Sequence, residues 1–343
     1  MSQNSGSAIE VSGLAKSFGQ HRALRDVNLQ VPAGGIVCIL GRNGAGKTTT
    51  VRILTTLIRP DAGHATVAGY DIATEPERVR ARIGVAWQGA SLDQVLTGRQ
   101  NLQVMGRLYH LGGRGSRKRA EELLQQFGLQ DAADRPVGTY SGGMRRRLDL
   151  AVSLLPDPQV LFLDEPTTGL DPISRTDTWQ IMRDSAARGA AVLLTTQDME
   201  EASVLADEIV VLVGGKVVRV GTPAELTAGA GQARVRVTLP NPHPELLAAT
   251  LAALGPAAEA SGRVVTVPAP NALADLAAVV DRLRLDAIDV HDVGLEQPTL
   301  SEIYAELTAE HPDTDPSHPD TPAQLAAVAP APSDDAEDME RVF

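Results

Sequence analysis

Residues 36–50, IVCILGRNGAGKTTT, constrain the fold of this chain more than any other stretch. The first five are apolar and predict a buried strand, and the residues after Lys47 predict a helix that continues to about Leu57. The turn between them matches the pattern G-x-x-x-x-G-K-[ST], which is typical of a loop that wraps an anion. Glycines let the backbone approach a phosphate closely, and the helix N-terminus adds partial positive charge.

We therefore interpret this loop as a binding site for ATP or GTP with Mg²⁺. Lys47 is predicted to reach the β- and γ-phosphates, and Thr48 is predicted to hold the metal ion. The other residues of the predicted cradle are Gly41, Arg42, Asn43, Gly44, Ala45, Gly46 and Thr49. The alternative is a chance match in a Gly-rich chain, and the motifs farther along argue against it.

An apolar strand that ends in two carboxylates supplies a second part of such a site. Residues 160–165 are VLFLDE. We expect Asp164 to bind Mg²⁺, directly or through water, and Glu165 to act as base or polariser for the attacking water. The same residues in isolation are compatible with a buried strand whose acidic end meets solvent, but a phosphate loop upstream favours the catalytic interpretation.

Several shorter features carry weaker signals. Ser141-Gly142-Gly143 predicts a helix start with bare N–H groups, a second anion site, although this tripeptide alone is usually a surface turn. The arginines at 145–147 alone indicate a solvated helix face. Gln88 and Gln197 each stand just past a predicted strand. Phe18 is either an adenine-stacking ring or an ordinary core residue, and its position alone leaves both open.

Composition limits the class of protein. A length of 343 residues favours two domains, and no apolar run approaches the ~18 residues of a membrane span. The first ten residues lack the pattern of a signal peptide. The single cysteine, Cys38, excludes an internal disulfide and fits a reducing compartment, so we expect a cytosolic protein. A net charge of −12 argues against a nucleic-acid partner.

Together these features resemble the ATP-binding subunit of ABC transporters over about residues 8–228. The ordered motifs are matched by residues 41–49 (Walker A), Gln88 (Q-loop), 141–143 (signature), Asp164 and Glu165 (Walker B), and Leu170 and Asp171 (D-loop). Residues 140–150, YSGGMRRRLDL, and 193–197, LLTTQ, are similar to the drug exporters of the daunorubicin/doxorubicin-resistance type.

The resemblance implies an α/β fold: a P-loop NTPase of ABC type with a helical insertion, plus a small C-terminal α/β domain. It assigns Phe18 to adenine stacking, Gln88 to catalysis and Mg²⁺, and Gln197 to catalysis at the switch position. It implies that Ser141, Gly142, Gly143 and Asp171 contact ATP within a head-to-tail pair of subunits. The expected partners are a second copy and a separately encoded membrane permease, with the chain at the cytoplasmic face of the membrane.

Two departures from the family pattern concern the site. Tyr140 and Met144 stand where Leu and Gln are usual in the signature, so contacts of that Gln are in doubt. Gln197 stands where the switch residue is usually His. Because Gln cannot carry a proton, an imidazole mechanism is excluded there and Glu165 is the best candidate base. The resembling drug exporters also carry Gln, which favours a working variant.

The predicted domains are 1–230 (helical subdomain about 89–155), 231–310 (accessory α/β domain) and 311–343 (a disordered acidic, Pro-rich tail). A break within the helical subdomain is expected at 112–116. Near the end, Thr299 and Glu302 fit a capping box, and Leu300, Ile303, Tyr304 and Leu307 share one helix face.

The favoured function is ATP hydrolysis coupled to export of a drug, antibiotic or other hydrophobic compound. The permease is expected to dock between Gln88 and Asn101. The alternatives are a soluble ABC-type ATPase that acts on ribosomes or DNA, and a regulatory nucleotide-binding module without turnover.

Overall fold

A six-stranded sheet at the centre of the fold holds the loop at 41–46 at the end of one strand. The structure is a computed structural model that describes residues 6–87, 92–228, 233–240 and 243–310. The strands up to residue 228 are β1 (Ser7–Phe18), β2 (His21–Pro32), β3 (Ile36–Leu40), β4 (Ala62–Val67), β5 (Tyr70–Asp71), β6 (Ile83–Ala86), β7 (Val160–Asp164), β8 (Ala191–Thr196), β9 (Glu208–Val213) and β10 (Lys216–Gly221). The helices are α1 (Lys47–Leu54), α2 (Pro76–Arg80), α3 (Gly98–Leu108), α4 (Gly112–Gln126), α5 (Gly142–Ser153), α6 (Pro172–Ala187), α7 (Met199–Leu205) and α8 (Pro223–Ala228).

The central sheet has the order β10-β9-β3-β8-β7-β6, and all its neighbours are parallel except β9 and β10. Every residue of β3, β7 and β8 is buried, as expected for parallel strands covered on both faces. The register pairs Leu40 with Thr196 and Asp164 with Thr195. The carboxyl ends of three strands therefore meet at one edge, where α/β sheets bind ligands.

Two further layers flank this sheet. An antiparallel sheet of order β2-β1-β4-β5 contributes Ile9, Leu14 and Leu24 to a core shared with α1 and one face of the central sheet. On the other side, α3, α4 and α5 bury Leu102, Leu124 and other apolar residues, which confirms the predicted helical insertion.

The predicted break at 112–116 is wrong, because these residues form the first turn of α4. The interruption comes earlier, at Tyr109–Leu111, where α3 ends and His110 has a φ of 59°. A residue in the left-handed region ends a helix whatever the composition of the next turn.

The C-terminal part forms a third sheet from β11 (Arg234–Thr238), β12 (Glu259–Ser261), β13 (Val264–Pro268) and β14 (Asp292–Glu296), with helices α9 (Pro244–Leu254) and α10 (Leu273–Leu285). Its order is β12-β13-β11-β14 with antiparallel neighbours, a split βαββαβ arrangement. Val235, Val237 and Val265 form its own small core with the two helices.

The last helix, α11 (Leu300–Glu310), leaves this sheet. Its buried face, which the sequence predicts, packs into the core between the central sheet and the helical insertion and not into the core of the third sheet. The predicted boundary at 230/231 and the predicted disorder of 311–343 concern residues outside the described ranges, so both stay predictions. Within those ranges no helix has the length and apolar character to cross a membrane.

Candidate functional site

The loop after β3 is shaped by glycines that no other residue can replace without a clash. A Cβ on Gly41 would lie 2.7 Å from the carbonyl oxygen of Leu212, and one on Gly46 would lie 2.6 Å from that of Ala23. Gly46 also has a φ of 104°, in the left-handed region, and immediately precedes α1. The loop therefore turns tightly against β9 and brings the N-terminus of α1 to the edge of the sheet.

Lys47 extends back over this loop. Its Nζ donates to the carbonyl oxygens of Gly41 at 2.8 Å and Arg42 at 3.1 Å, and it lies 3.4 Å from Oε1 of Glu165. The Lys47 residue is 4% exposed, so its charge is held in a protected position. A buried ammonium with backbone carbonyls and one carboxylate around it is suited to exchange these partners for phosphate oxygens.

The first turn of α1 meets the end of β7. The Thr48 hydroxyl donates to Asp164 Oδ2 at 2.9 Å, and the Thr195 hydroxyl donates to Asp164 Oδ1 at 2.5 Å. Among the described residues, no group of three or more His, Cys, Asp or Glu is placed to hold a metal. Thr48 and Asp164 instead offer the few oxygen ligands that Mg²⁺ takes alongside substrate phosphates and waters, so the residues fit this ion.

Glu165 adopts an unusual backbone conformation directly after β7. Its φ is 47°, and its N–H donates to the carbonyl oxygen of Thr195 at 3.0 Å. The carboxylate lies beside Lys47 and accepts from the Thr168 hydroxyl at 3.3 Å. A left-handed non-glycine residue at the end of a buried strand indicates strain held by its surroundings. The surroundings in this case aim an acidic side chain at the loop.

Arg146 is one of the residues that hold the backbone around Glu165 in this conformation. Its guanidinium donates to four backbone carbonyls: Pro166 at 2.7 Å, Trp87 at 2.8 Å, Glu165 at 3.1 Å and Asp164 at 3.3 Å. Burial lowers the pKa of Arg146, while the carboxylates of Asp149, Asp164 and Glu201 oppose that shift. The interpretation of 145–147 as a solvated face is therefore wrong for this residue, and nothing in the local pattern distinguishes it from exposed Arg145.

The residues of the signature pattern begin α5. Ser141 is the N-cap and accepts from the Met144 N–H at 3.2 Å, as the sequence predicts for a helix start. A Cβ on Gly143 would lie 2.6 Å from the Ser174 hydroxyl, which itself donates to Asp171 at 2.7 Å. The signature turn and the D-loop are thus in contact. In the described part of the chain, no hydrogen bond joins Ser141 to the loop at 41–49.

The two departures in the signature have packing explanations. The Tyr140 hydroxyl donates to the carbonyl oxygen of Ala132 at 2.6 Å, and burial raises the pKa of this phenol. A Cβ on Gly98 would lie 2.3 Å from this hydroxyl, so the glycine makes room for the larger ring. Met144 packs against the core of the helical insertion.

The remaining predicted residues occupy different settings. Asp171 caps α6 and accepts from the N–H groups of Ile173 and Ser174. Gln197 is exposed in the turn between β8 and the cap of α7. Phe18 is 42% exposed at the end of β1, with Lys16 Nζ 5.6 Å from its ring centre, so it is not a core residue. Gln88 lies outside the described residues.

One buried acid near the switch position was not predicted from the sequence. Glu201 in α7 is fully buried and accepts from the Thr167 hydroxyl at 2.8 Å and Trp179 Nε1 at 3.1 Å. Burial raises the pKa of this carboxyl. It connects the helix after Gln197 to the segment after Glu165. An acid five residues beyond a strand end is a weak sequence signal, because it is equally typical of an exposed first turn.

Known proteins are similar to this chain in sequence. The family model described as ABC transporter matches residues 24–168. The chain is 48% identical to a daunorubicin resistance ATP-binding protein of Streptomyces coeruleorubidus over 88% of its length and 95% of that protein. It is 45% identical to the daunorubicin/doxorubicin resistance ATP-binding protein of Streptomyces peucetius, over 90% and 94%.

A solved structure extends the likeness to three dimensions. A dimeric ATP-binding cassette in a post-hydrolysis state, bound to ADP and Pi, superimposes with a TM-score of 0.57 at 27% identity. The match covers 62% of this chain and 98% of that cassette. More than a third of this chain therefore has no counterpart in that cassette.

Proposed function

We propose the function of this chain from one premise: it belongs to the ABC transporter ATP-binding proteins, among those of the daunorubicin/doxorubicin-resistance type. It is the ATP-hydrolysing subunit of a drug exporter. The observation that carries this function is the convergence of Lys47, Thr48, Asp164 and Glu165 at one edge of the central sheet. The Gly-rich loop beside them suits a triphosphate.

The residues divide the work of hydrolysis. The phosphate chain of ATP competes with Glu165 for Lys47, so nucleotide binding releases this carboxylate from its 3.4 Å contact. Glu165 then polarises the attacking water, and Gln197 donates a hydrogen bond to the γ-phosphate. Thr48 and Asp164 would hold Mg²⁺, which supplies charge neutralisation for the phosphates. Gln88 is proposed as a further contact to this ion, and Phe18 as the ring that stacks on adenine.

Two partners complete the proposal. A second copy closes the site, with Ser141, Gly142, Gly143 and Asp171 facing the ATP of its partner, in line with the dimeric cassette. A membrane permease docks on the helical insertion, at the cytoplasmic face of the membrane. Exposed apolar side chains at Val95, Val104 and Leu108 support a docking surface there.

Phosphate release by the purified chain with its membrane partner tests this function. Lys47→Ala is expected to weaken ATP binding about 10–100-fold, since a charge-assisted hydrogen bond is worth about 1.5–3 kcal/mol. Glu165→Gln is expected to bind ATP normally and to release almost no phosphate. A wild-type chain that binds ATP without turnover above background would point to the regulatory module instead.

A further inference from the structure

Helix α11 belongs by sequence to the C-terminal region but by packing to the nucleotide-binding core. It follows β14 after three residues, and a capping box between Thr299 and Glu302 starts it. Its buried face, Leu300, Ile303, Tyr304 and Leu307, contacts the region of α7 and α8. The helix that follows the switch residue Gln197 is therefore one of its neighbours.

One hydrogen bond joins α11 directly to the phosphate loop. The backbone N–H of Arg42 donates to the Tyr304 hydroxyl at 2.8 Å, across 262 positions of the chain. The preceding N–H, of Gly41, donates to the carbonyl oxygen of Thr196 at 3.2 Å. Two successive N–H groups at the entrance of the loop are thus held by groups outside it. This anchorage fixes where the loop begins its turn around the phosphates.

The other end of α11 is tied to the C-terminal sheet. Glu302 in its first turn lies 3.6 Å from Arg234 of β11, and the chain runs from β14 into the helix. The exposed ion pair contributes little energy by itself, but the covalent connection is short. A displacement of the sheet therefore moves the helix whose hydroxyl holds Arg42.

We propose that Tyr304 is a positioning residue of the phosphate loop, and that α11 is the element through which the C-terminal sheet adjusts nucleotide affinity. The inference rests on the proposed function, because it needs ATP at the loop. A packing role alone requires only the ring, since Phe fills the same space. The hydroxyl adds an acceptor for a loop N–H, which preorganises the loop before the nucleotide arrives.

Tyr304→Phe tests this directly in the full-length chain. Calorimetric titration with Mg²⁺ and a non-hydrolysable ATP analogue should give a Kd about fivefold higher, while kcat at saturating ATP stays within twofold of wild type. Fivefold corresponds to about 1 kcal/mol, the net value of one hydrogen bond. Ile303→Val, on the same helix and in the same core, removes one methylene and should leave the Kd within twofold.

Hydrogen exchange supplies a second measurement. Coupling is reciprocal, so the bound analogue should slow exchange of the α11 and β14 amides in the wild type and do so less in Tyr304→Phe. The inference is overturned if the Kd of Tyr304→Phe equals that of Ile303→Val. It is also overturned if the hydrogen-exchange rate of the α11 amides does not change when the analogue binds. Failure of the proposed function is distinguishable, because then the wild type itself does not bind the analogue, or Lys47→Ala binds it equally well.

Discussion

Replacing Arg146 by Met tests whether the signature helix holds the catalytic strand end in place. Met keeps the length and apolar character of the stem and removes the guanidinium. Four backbone carbonyls at the end of β7 and next to the Q-loop then lose their common donor. Glu165, with a φ of 47°, loses one of the contacts that hold its strained backbone.

The magnitude follows from the two shortest contacts, at 2.7 and 2.8 Å. Hydrogen bonds from a charged donor are worth about 1.5–3 kcal/mol each, or about 3–6 kcal/mol for two. The burial that lowers the pKa of Arg146 marks a desolvation cost that offsets part of this gain. We expect a net loss of about 3 kcal/mol in unfolding free energy, which lowers Tm by roughly 6–9 °C in a domain of this size.

Activity should fall together with stability. If displacement of Glu165 raises the activation free energy by about 1.4 kcal/mol of that loss, kcat drops about tenfold. Thermal unfolding and phosphate release of Arg146→Met are compared with those of Arg145→Met, an exposed neighbour in the same helical turn. The control should change stability by less than about 0.5 kcal/mol. Equal Tm and kcat in the two variants would refute the support assigned to Arg146.

Two further variants probe the switch region. In the folded chain the pKa of Glu201 is raised, so the unfolded chain loses this proton first and stability falls as pH rises from the ordinary glutamate value through the folded pKa. The Tm of Glu201→Gln minus that of wild type should therefore increase from pH 5 to pH 8. A difference in Tm that decreases over that range contradicts this assignment. Gln197→His should change phosphate release by less than about tenfold if the exposed Gln is an adapted group; turnover that rises by orders of magnitude would show that Gln is a handicap at this position.

Local patterns were sufficient wherever the chemistry is contiguous in the chain. The apolar run at 36–40 and the glycines after it predict a strand, a tight loop and a helix, and the structure has β3, the loop and α1 there. The apolar run before Asp164 likewise forms β7, and Ser141 caps α5. In each case one short segment contains both the residues and the backbone signals that shape them.

Such local patterns did not predict contacts between distant segments of the chain. The sequence treats three consecutive arginines alike, but the fold buries only part of that helix face, and Arg146 meets carbonyls from two separate segments. The break between α3 and α4 was misplaced because a left-handed non-glycine residue, His110, follows the end of α3, and no local pattern indicates it. Glu201 was not predicted because its partners come from other elements.

The phosphate loop and the last helix differ in how far the sequence predicts them. The order and spacing of residues 41–49, 141–143 and 164–165 determined that this chain is an ABC-type ATPase, because phosphate and Mg²⁺ chemistry admits few residue types at those points. The buried face of α11 was also evident from its periodicity. Only the tertiary structure decided which core that face enters and placed the Tyr304 hydroxyl against the Arg42 N–H. The helical periodicity predicts that one face of α11 is buried, but the packing of the whole fold determines which residues that face contacts.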